Sequence, residues 1–537
     1  MNKSLLLSLV TSSILIGTSL SADTMYDRFE TMEAKMQKIQ KELAELKAKQ
    51  SVSDEEAEDK DATSDDEEVE EKVVAKKDSG DGDSEEEDDE EDSVQDQLDE
   101  IQENLTELNK ATNGSHLKFG VDYRFALENL NYKMANDDEH TNDAFMTNRF
   151  WLNMDWAATK NLSFHGQIAY NKAFGERAGN TPSEYPFESF DWITNENAYD
   201  DKLRIKNAYF LYVDDKLAGA DIPWTFSIGR RPSTNGHLIN LRDDDHAASP
   251  QGHSINVEFD GLSAKFGLEN LIGINGMYIK FCAGRGMSNA SAKMDFGGAP
   301  YADGETRLAN IDLAGFILRA YSNGQYTIDT QYYFANNLID INGTTNPVFE
   351  TVGNLQSVTA SFMSNGIGEG LGDYLDDTTF FISGAMSITD PDNGKSMLGR
   401  DSSRKGYSIW TGVQMPSLFT SDGKWGIEYN HGTKYWRSIT YAEDTNIGSK
   451  VAARGDAYEA YFTEYLVEDI LSIQLRYTYI DYAYSGSNGF FGSVTGNSMK
   501  ISDIQAAANA GDAMAQAYAA AIVDKAQDIR FYIRYRY

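Results

Sequence analysis

The final strand of the chain constrains its fold more than any other feature. Ile529, Phe531, Ile533, Tyr535 and Tyr537 alternate there with Arg530, Tyr532, Arg534 and Arg536. Successive residues of a strand point to opposite faces. A soluble sheet would bury the three arginines without partners on its covered face. A barrel wall in a membrane instead gives the apolar face lipid and the arginines a wet lumen.

The beginning of the chain carries an export pattern. Lys3 precedes an apolar run from Leu5 to about Leu20, followed by Ser21 and Ala22, which is the layout of a signal peptide over residues 1–22. No later stretch is apolar for the roughly 20 residues a helical span needs. Composition fits a barrel: 30 Tyr, 26 Phe and 44 Gly against 9 Pro, with lipid met only by alternate residues. The single Cys282 rules out an internal disulfide and cysteine-based metal or haem motifs.

The net charge of −38 is unevenly placed. Between Asp54 and Asp92 lie 23 acidic residues and four lysines, so residues 51–92 are expected to form a disordered acidic linker. Heptad seams flank it. Met25, Phe29, Met32, Met36, Ile39, Leu43 and Leu46 define a coiled coil over 23–50, and Val94, Leu98, Ile101, Leu105 and Leu108 define a second over 93–112. A long helix with one apolar stripe buries it by association, which predicts a homo-oligomer, taken as a trimer.

From residue 113 onward the pattern is all-β. The first strand alternates Leu117, Phe119, Val121, Tyr123, Phe125 and Leu127 with Lys118, Gly120, Asp122 and Arg124; the second sets Phe150, Leu152, Met154 and Trp156 against Arg149, Asn153 and Asp155. Further strands are expected near 162–170, 203–213, 223–230, 254–260, 262–283, 308–321, 326–335, 355–363, 378–388, 406–415, 424–431, 455–466, 471–482 and 528–537. Short links at 157–161, Asp260-Gly261, 322–325 and 467–469 alternate with long ones at 130–146, 171–202, 284–307, 336–354, 432–453 and 483–527. Asp-Gly and Asn-Gly favour tight hairpins. Membrane barrels have short turns on one side and long loops on the other. The expectation is a transmembrane barrel of 16 antiparallel strands with 262–283 as one bent strand, or 18 if that region hides a hairpin. Either size encloses an aqueous channel.

The terminal set Phe531, Ile533, Tyr535 and Tyr537 resembles the signal by which the outer-membrane barrel assembly machinery recognises its clients. The architecture as a whole resembles the general porins of Gram-negative bacteria. A closer resemblance, carried by the coiled coil ahead of the barrel and by the segment Gly229-Arg230-Arg231-Pro232-Ser233-Thr234-Asn235-Gly236-His237, is to a porin-like family of epsilon-class proteobacteria known as domain of unknown function 3373. That resemblance implies an outer-membrane barrel over nearly the whole chain, with its N-terminal extension in the periplasm, and no assigned activity.

The expected functional residues line the lumen: Lys118, Asp122, Arg124, Arg149, Asp155, Arg530, Arg534 and Arg536. Basic walls favour anions and acidic ones cations, unless Asp122, Glu128 and Asp155 neutralise the arginines. The acidic groups Asp137, Asp138, Glu139 and Asp243, Asp244, Asp245 are placed to face the basic wall. His237, His246 and His253 share a loop with Asp243–Asp245 and are the only metal candidates, in a spacing that matches no metal motif. No cofactor is expected. The chain shows no strained nucleophile turn and no HExxH helix, and its basic residues are dispersed, so neither catalysis nor nucleic-acid binding is indicated. Together these features point to a porin for passive diffusion of small hydrophilic solutes or ions. The alternative is a barrel that anchors its coiled coil to the cell wall or a periplasmic partner.

Overall fold

The alternation of the last strand recurs around a complete cylinder. The computed structural model describes residues 117–174, 203–290, 301–302, 308–342, 348–368, 372–440, 443–489 and 497–537. The signal peptide, both heptad segments and the acidic linker lie outside the described residues. Sixteen strands close into one barrel. They are β1 Leu117–Met134, β2 Glu139–Ala157, β3 Leu162–Ala173, β4 Arg204–Asp214, β5 Trp224–Arg231, β6 Phe259–Gly267, β7 Tyr278–Met287 and β8 Ile311–Ser322. The second half comprises β9 Tyr326–Asn342, β10 Val348–Asn365, β11 Thr379–Pro391, β12 Arg404–Pro416, β13 Lys424–Gly432, β14 Gly455–Val467, β15 Leu471–Tyr482 and β16 Val523–Arg536. Each strand is antiparallel to its neighbours, and β16 closes on β1 with Arg124 opposite Arg534 and Glu128 opposite Arg530. Closure leaves no open edge, so every strand has a partner on both sides.

The barrel has two unlike ends. Leu117 and Tyr537 lie at the near end, together with turns such as 158–161, 323–325 and 468–470. Among the described residues, the far end carries the long stretches 232–258, 443–454 and 497–522. The outer face is apolar between two aromatic levels. Near the termini Trp224 meets Tyr212 and Trp425 meets Phe462; toward the far end Tyr429, Tyr458 and Tyr479 form a row. Aromatic clusters on an apolar outer face are characteristic of membrane barrels. Leu475 lies near the middle of β15 on the outer face and is half exposed. Leu475→Arg is therefore expected to cost about 2–4 kcal/mol of folding stability in vesicles, the penalty for a midplane arginine on a lipid face. A denaturant midpoint unchanged by the substitution would remove lipid from that face.

The strand count of 16 arises differently from the expected one. Residues 254–260 contribute no wall strand of their own, and 262–283 hides a hairpin turning at 268–277, so the two errors cancel. Asp260 and Gly261 form no turn. They lie inside the wall, paired with Arg230 and Gly229 on one side and Arg285 and Gly284 on the other. Gly261 is required there because a Cβ would meet the Ala283 carbonyl oxygen at 2.2 Å. The expected long connectors 130–146 and 336–354 are mostly strand, since β1–β2 and β9–β10 run past the apolar band. The alanine-rich region forms helices Ile501–Asn509 and Ala513–Ala521, which pack beside Leu130, Ala135 and Ile522 at the far end of β1.

Candidate functional site

Two far-end segments, 232–258 and 433–454, turn into the barrel instead of outward. The first begins where the Gly229–His237 motif ends β5. Ser233 and Thr234 bind the Glu258 carboxylate, whose other partner is Lys206 of β4 at 2.9 Å. Asn235 continues in the left-handed region (φ 55°). Gly236 is essential to this turn, because a Cβ would meet the Pro250 carbonyl oxygen at 2.2 Å. The short 3-10 helix Ile239–Asp243 then carries Asp243, Asp244 and Asp245 down to the near mouth. Asp244 accepts from Lys424 at 2.9 Å and Tyr465 at 2.8 Å, both at near ends of their strands.

The second segment lies against the first. Ile439–Thr440 pairs in parallel with Ile255–Asn256, so the two segments form a small sheet inside the barrel. Trp436, Arg437, Glu443, Val451 and Arg454 are completely buried. His253 sits between the two segments and the wall, bonded to Ser383 and Ser408 at 2.9 Å each and edge-on to Trp410. Arg437 reaches Asp340 of β9 at 2.9 Å. From the first segment, Arg242 binds Glu459 of β14 at 3.0 Å. Lys450 bridges Glu459 and Glu428.

The sequence-derived pore residues belong to this same network, but not as open pore lining. Arg124, Arg149, Arg530, Arg534, Asp122 and Glu128 are buried. Arg124 forms a two-pronged contact with Asp444 at 2.5 Å, Arg530 binds Glu128 at 3.0 Å and Asp444 at 3.2 Å, and Arg534 reaches Asp245 at 2.8 Å. Arg149 donates to Asp122 at 3.3 Å and stacks 3.6 Å over Trp151. Arg536 binds Asp245 at 2.9 Å. Neutralisation therefore prevails over free positive charge on this wall. Lys118 and Asp155 remain exposed, opposite each other at the near mouth, and Asp155 binds His165 at 2.5 Å. Of the two acidic groups, Asp243–Asp245 meet the basic wall. Asp137 and Asp138, with Glu139 beginning β2, sit on the exposed far turn and do not. Phe531, Ile533, Tyr535 and Tyr537 all face outward.

Charge on the inserted segments is fixed by what surrounds it. Burial opposes ionisation of Asp444, but Arg124 and Arg530 more than reverse that and hold its carboxyl well below the usual range. Asp243 is likewise held low, burial being outweighed by Arg242. Burial pushes His253 down to about 3, so its ring is neutral. The three histidines do not converge: His237 lies 3.6 Å from Asp329, His253 binds two serines, and His246 is exposed. The residues missed from sequence are Arg242, Asp444, Lys450 and Glu459. The signal for the inserted segments was an excess of apolar residues outside the wall, Leu238 and Ile239 in one and Trp436, Ile439 and Val451 in the other; Ile255 and Val257 fall in the expected strand 254–260, and Glu459 in the expected strand 455–466.

A closed barrel with an apolar outer band and an ionic lumen defines a transmembrane β-barrel filled by its own loops. The chain belongs to the family described as Protein of unknown function (DUF3373), whose profile matches residues 139–537. No curated protein matches the sequence. Among solved structures, the anion-selective porin from Comamonas acidovorans is similar at 10% identity and TM-score 0.43, over 78% of this chain and 99% of that one. OmpT, an outer membrane protein of Vibrio cholerae, matches at 11% identity and TM-score 0.41, over 78% and 97%. Pseudomonas putida OprB matches at 12% identity and TM-score 0.41, over 78% and 94%.

Proposed function

We propose that this protein is an outer-membrane channel of porin architecture, for small hydrophilic solutes or ions, whose lumen is closed by residues 232–258 and 433–454 and conducts when they withdraw. The observation that carries this reading is the separation of wall from filling. The strand ladder is complete without the inserted segments, which are held to it by side-chain ion pairs and hydrogen bonds together with the apolar packing of Leu238, Ile239, Ile255, Val257, Ile439 and Val451. Far-end loops are the outer ones in such barrels, which supports a periplasmic N-terminal extension as part of this proposal. Transport by passage, without catalysis, and assembly as a homotrimer are part of the same proposal. The filled lumen also favours the second reading, a barrel that anchors the periplasmic coiled coil.

Recordings from the purified full-length protein in planar bilayers separate the two. A carboxylate whose pKa is lowered by folding stabilises the folded form above its unfolded pKa, about 3.9 for Asp. That stabilisation is lost only as the pH falls through the lower folded value. Asp444 and Asp243 should therefore hold the channel closed from pH 7 to about 4, with openings appearing on further acidification. Opening between pH 5 and 6 would show that these carboxylates are not the lock. Silence at every pH and voltage would favour the anchor.

A further inference from the structure

We infer that the outer surface of β5–β8 packs against a second copy of this chain and faces the axis of the homo-oligomer. The inference rests on the homo-oligomeric assembly proposed for this protein and names the surface through which its barrels meet. The first observation is a row of charge on the outer wall. Arg230, Asp260, Arg285 and Asp312 are successive partners in the ladders of β5–β8. Each lies two residues beyond an outward apolar one: Ile228, Leu262, Ala283 and Ala314. Only three outward residues, Trp224, Phe226 and Ile228, precede Arg230 on β5, whereas β1 shows six, from Leu117 to Leu127, before the polar Asn129. Arg230 and Asp260 stand six and seven residues from the near ends of their strands, Trp224 and Gly267. At about 3.3 Å per residue and a tilt of about 40°, they lie about 15 Å up a band that is about 25 Å tall. Apolar wall resumes beside the row at the half-exposed Ile205 of β4, whose carbonyl accepts from Arg230 at 2.9 Å.

The second observation is shape. A barrel wall is convex on its outside, yet this sector is hollow: a groove of about 790 Å³ is lined by the four charged residues together with Ile228 and Leu262. Behind it Gly229, Gly261 and Gly284 are ladder partners, and a Cβ on them would meet a neighbouring strand's carbonyl oxygen at 2.3, 2.2 and 2.5 Å. Arg230 pairs with Asp260 at 3.5 Å and Arg285 with Asp312 at 2.7 Å, but the Asp260 side chain remains 69% exposed and that of Arg285 48%. Hydrocarbon offers such groups no hydrogen-bond partner, and charge on a lipid face is destabilising in proportion to its depth. A protein surface carrying both signs satisfies them. A second copy brings one at the right level, because rotation about the membrane normal keeps every residue at its own depth. The signs alternate along the row, so an arginine of one copy can stand against an aspartate of the other. The heptad seams, which predict self-association, hold the copies side by side.

Contact with lipid and contact with a second copy are measured separately on the full-length protein. In a Cys282→Ala background, single cysteines replace Ala314 in the groove and Ile529 of β16, eight strands round the barrel. Both positions lie eight residues from the near end, at Ser322 and Tyr537. A bimane label on each is quenched, in vesicles of brominated phosphatidylcholine, by the acyl chains it touches. Quenching is expected to be several-fold weaker at Ala314→Cys than at Ile529→Cys. A short bis-maleimide should join unlabelled Ala314→Cys chains into covalent dimers and leave Ile529→Cys chains single. Equal quenching at the two positions means that lipid fills the groove, and it overturns the inference. Weak quenching without cross-links overturns it too, since water or headgroups then fill the groove. If heat-modifiable migration shows that Ala314→Cys does not fold, Ala283→Cys of β7 takes its place. A monomeric mass in mild detergent would remove self-association itself, whereas cross-linking confined to Ile529→Cys would leave self-association standing and sink only this surface.

Discussion

Excising residues 234–256 and joining Ser233 to Val257 through two glycines is expected to leave a folded barrel and raise single-channel conductance on the order of tenfold, because a 16-stranded wall encloses water once its filling is gone. The surgery is possible because Arg231 and Phe259 are paired neighbours in the wall, so the two roots of the segment already lie side by side. Glu258 stays with Lys206, and Asp122 stays with Arg149 and Arg534. What is lost is confined to the lumen: Arg242 on Glu459, the Asp244 contacts with Lys424 and Tyr465, and the parallel pairing to Ile439–Thr440. Heat-modifiable migration verifies folding before conductance is measured. A folded deletion barrel that conducts no better than the full chain would mean that residues 433–454 alone close the lumen.

Asp444→Ala acts on that second segment. One carboxylate there faces Arg124 at 2.5 Å, Arg530 at 3.2 Å and Arg476 at 3.6 Å, all buried. Breaking a buried ion pair by removing one partner typically costs about 3–5 kcal/mol, since the surviving charge is left uncompensated. The cost falls on the segment and not on the wall, because the β1–β16 and β14–β15 ladders do not involve Asp444. Hydrogen exchange should therefore accelerate across residues 433–454 while the strands stay protected. Channel closures should shorten, and the reversal potential in a salt gradient should move toward anions as Arg124 loses its carboxylate. Uniform deprotection of strands and segment would show that the network holds the barrel itself. Asp444→Asn, which keeps the shape without the charge, should reproduce the shift in ion preference.

The wall was legible from sequence because its information is local. Facing in β1, β2 and β16 follows from alternation alone, and the opposition of Arg124 to Arg534 follows from closing the ends. Strand lengths were less legible. Asn129, Asn131 and Lys133 continue the outward face of β1 beyond the lipid band, and polar residues there look like a loop. Asp260-Gly261 misled for a related reason: the dipeptide favours a turn, but Gly261 serves a close backbone approach. The contents of the lumen were illegible because the partners are remote. Asp444 lies 320 positions from Arg124, and Asp122 lies 412 from Arg534. No short-range pattern distinguishes a loop that leaves the barrel from one that enters it, apart from the apolar residues it then has to bury.

The circumference of the barrel has one join that covalent chain order does not create, where β1 meets β16. Ion pairs concentrate on that join. Arg534 to Asp122 and Arg530 to Glu128 cross it directly, and Asp444 spans it by holding Arg124 on one side and Arg530 on the other. Asp444 of the second segment, with the direct Arg534–Asp122 and Arg530–Glu128 pairs, thus acts as the clasp of a bracelet whose links are the other fifteen strand pairings. During biogenesis the clasp has no carboxylate–guanidinium geometry to grip until first and last strands are side by side. Closing the cylinder and seating Asp444 between its two edges are then coupled events.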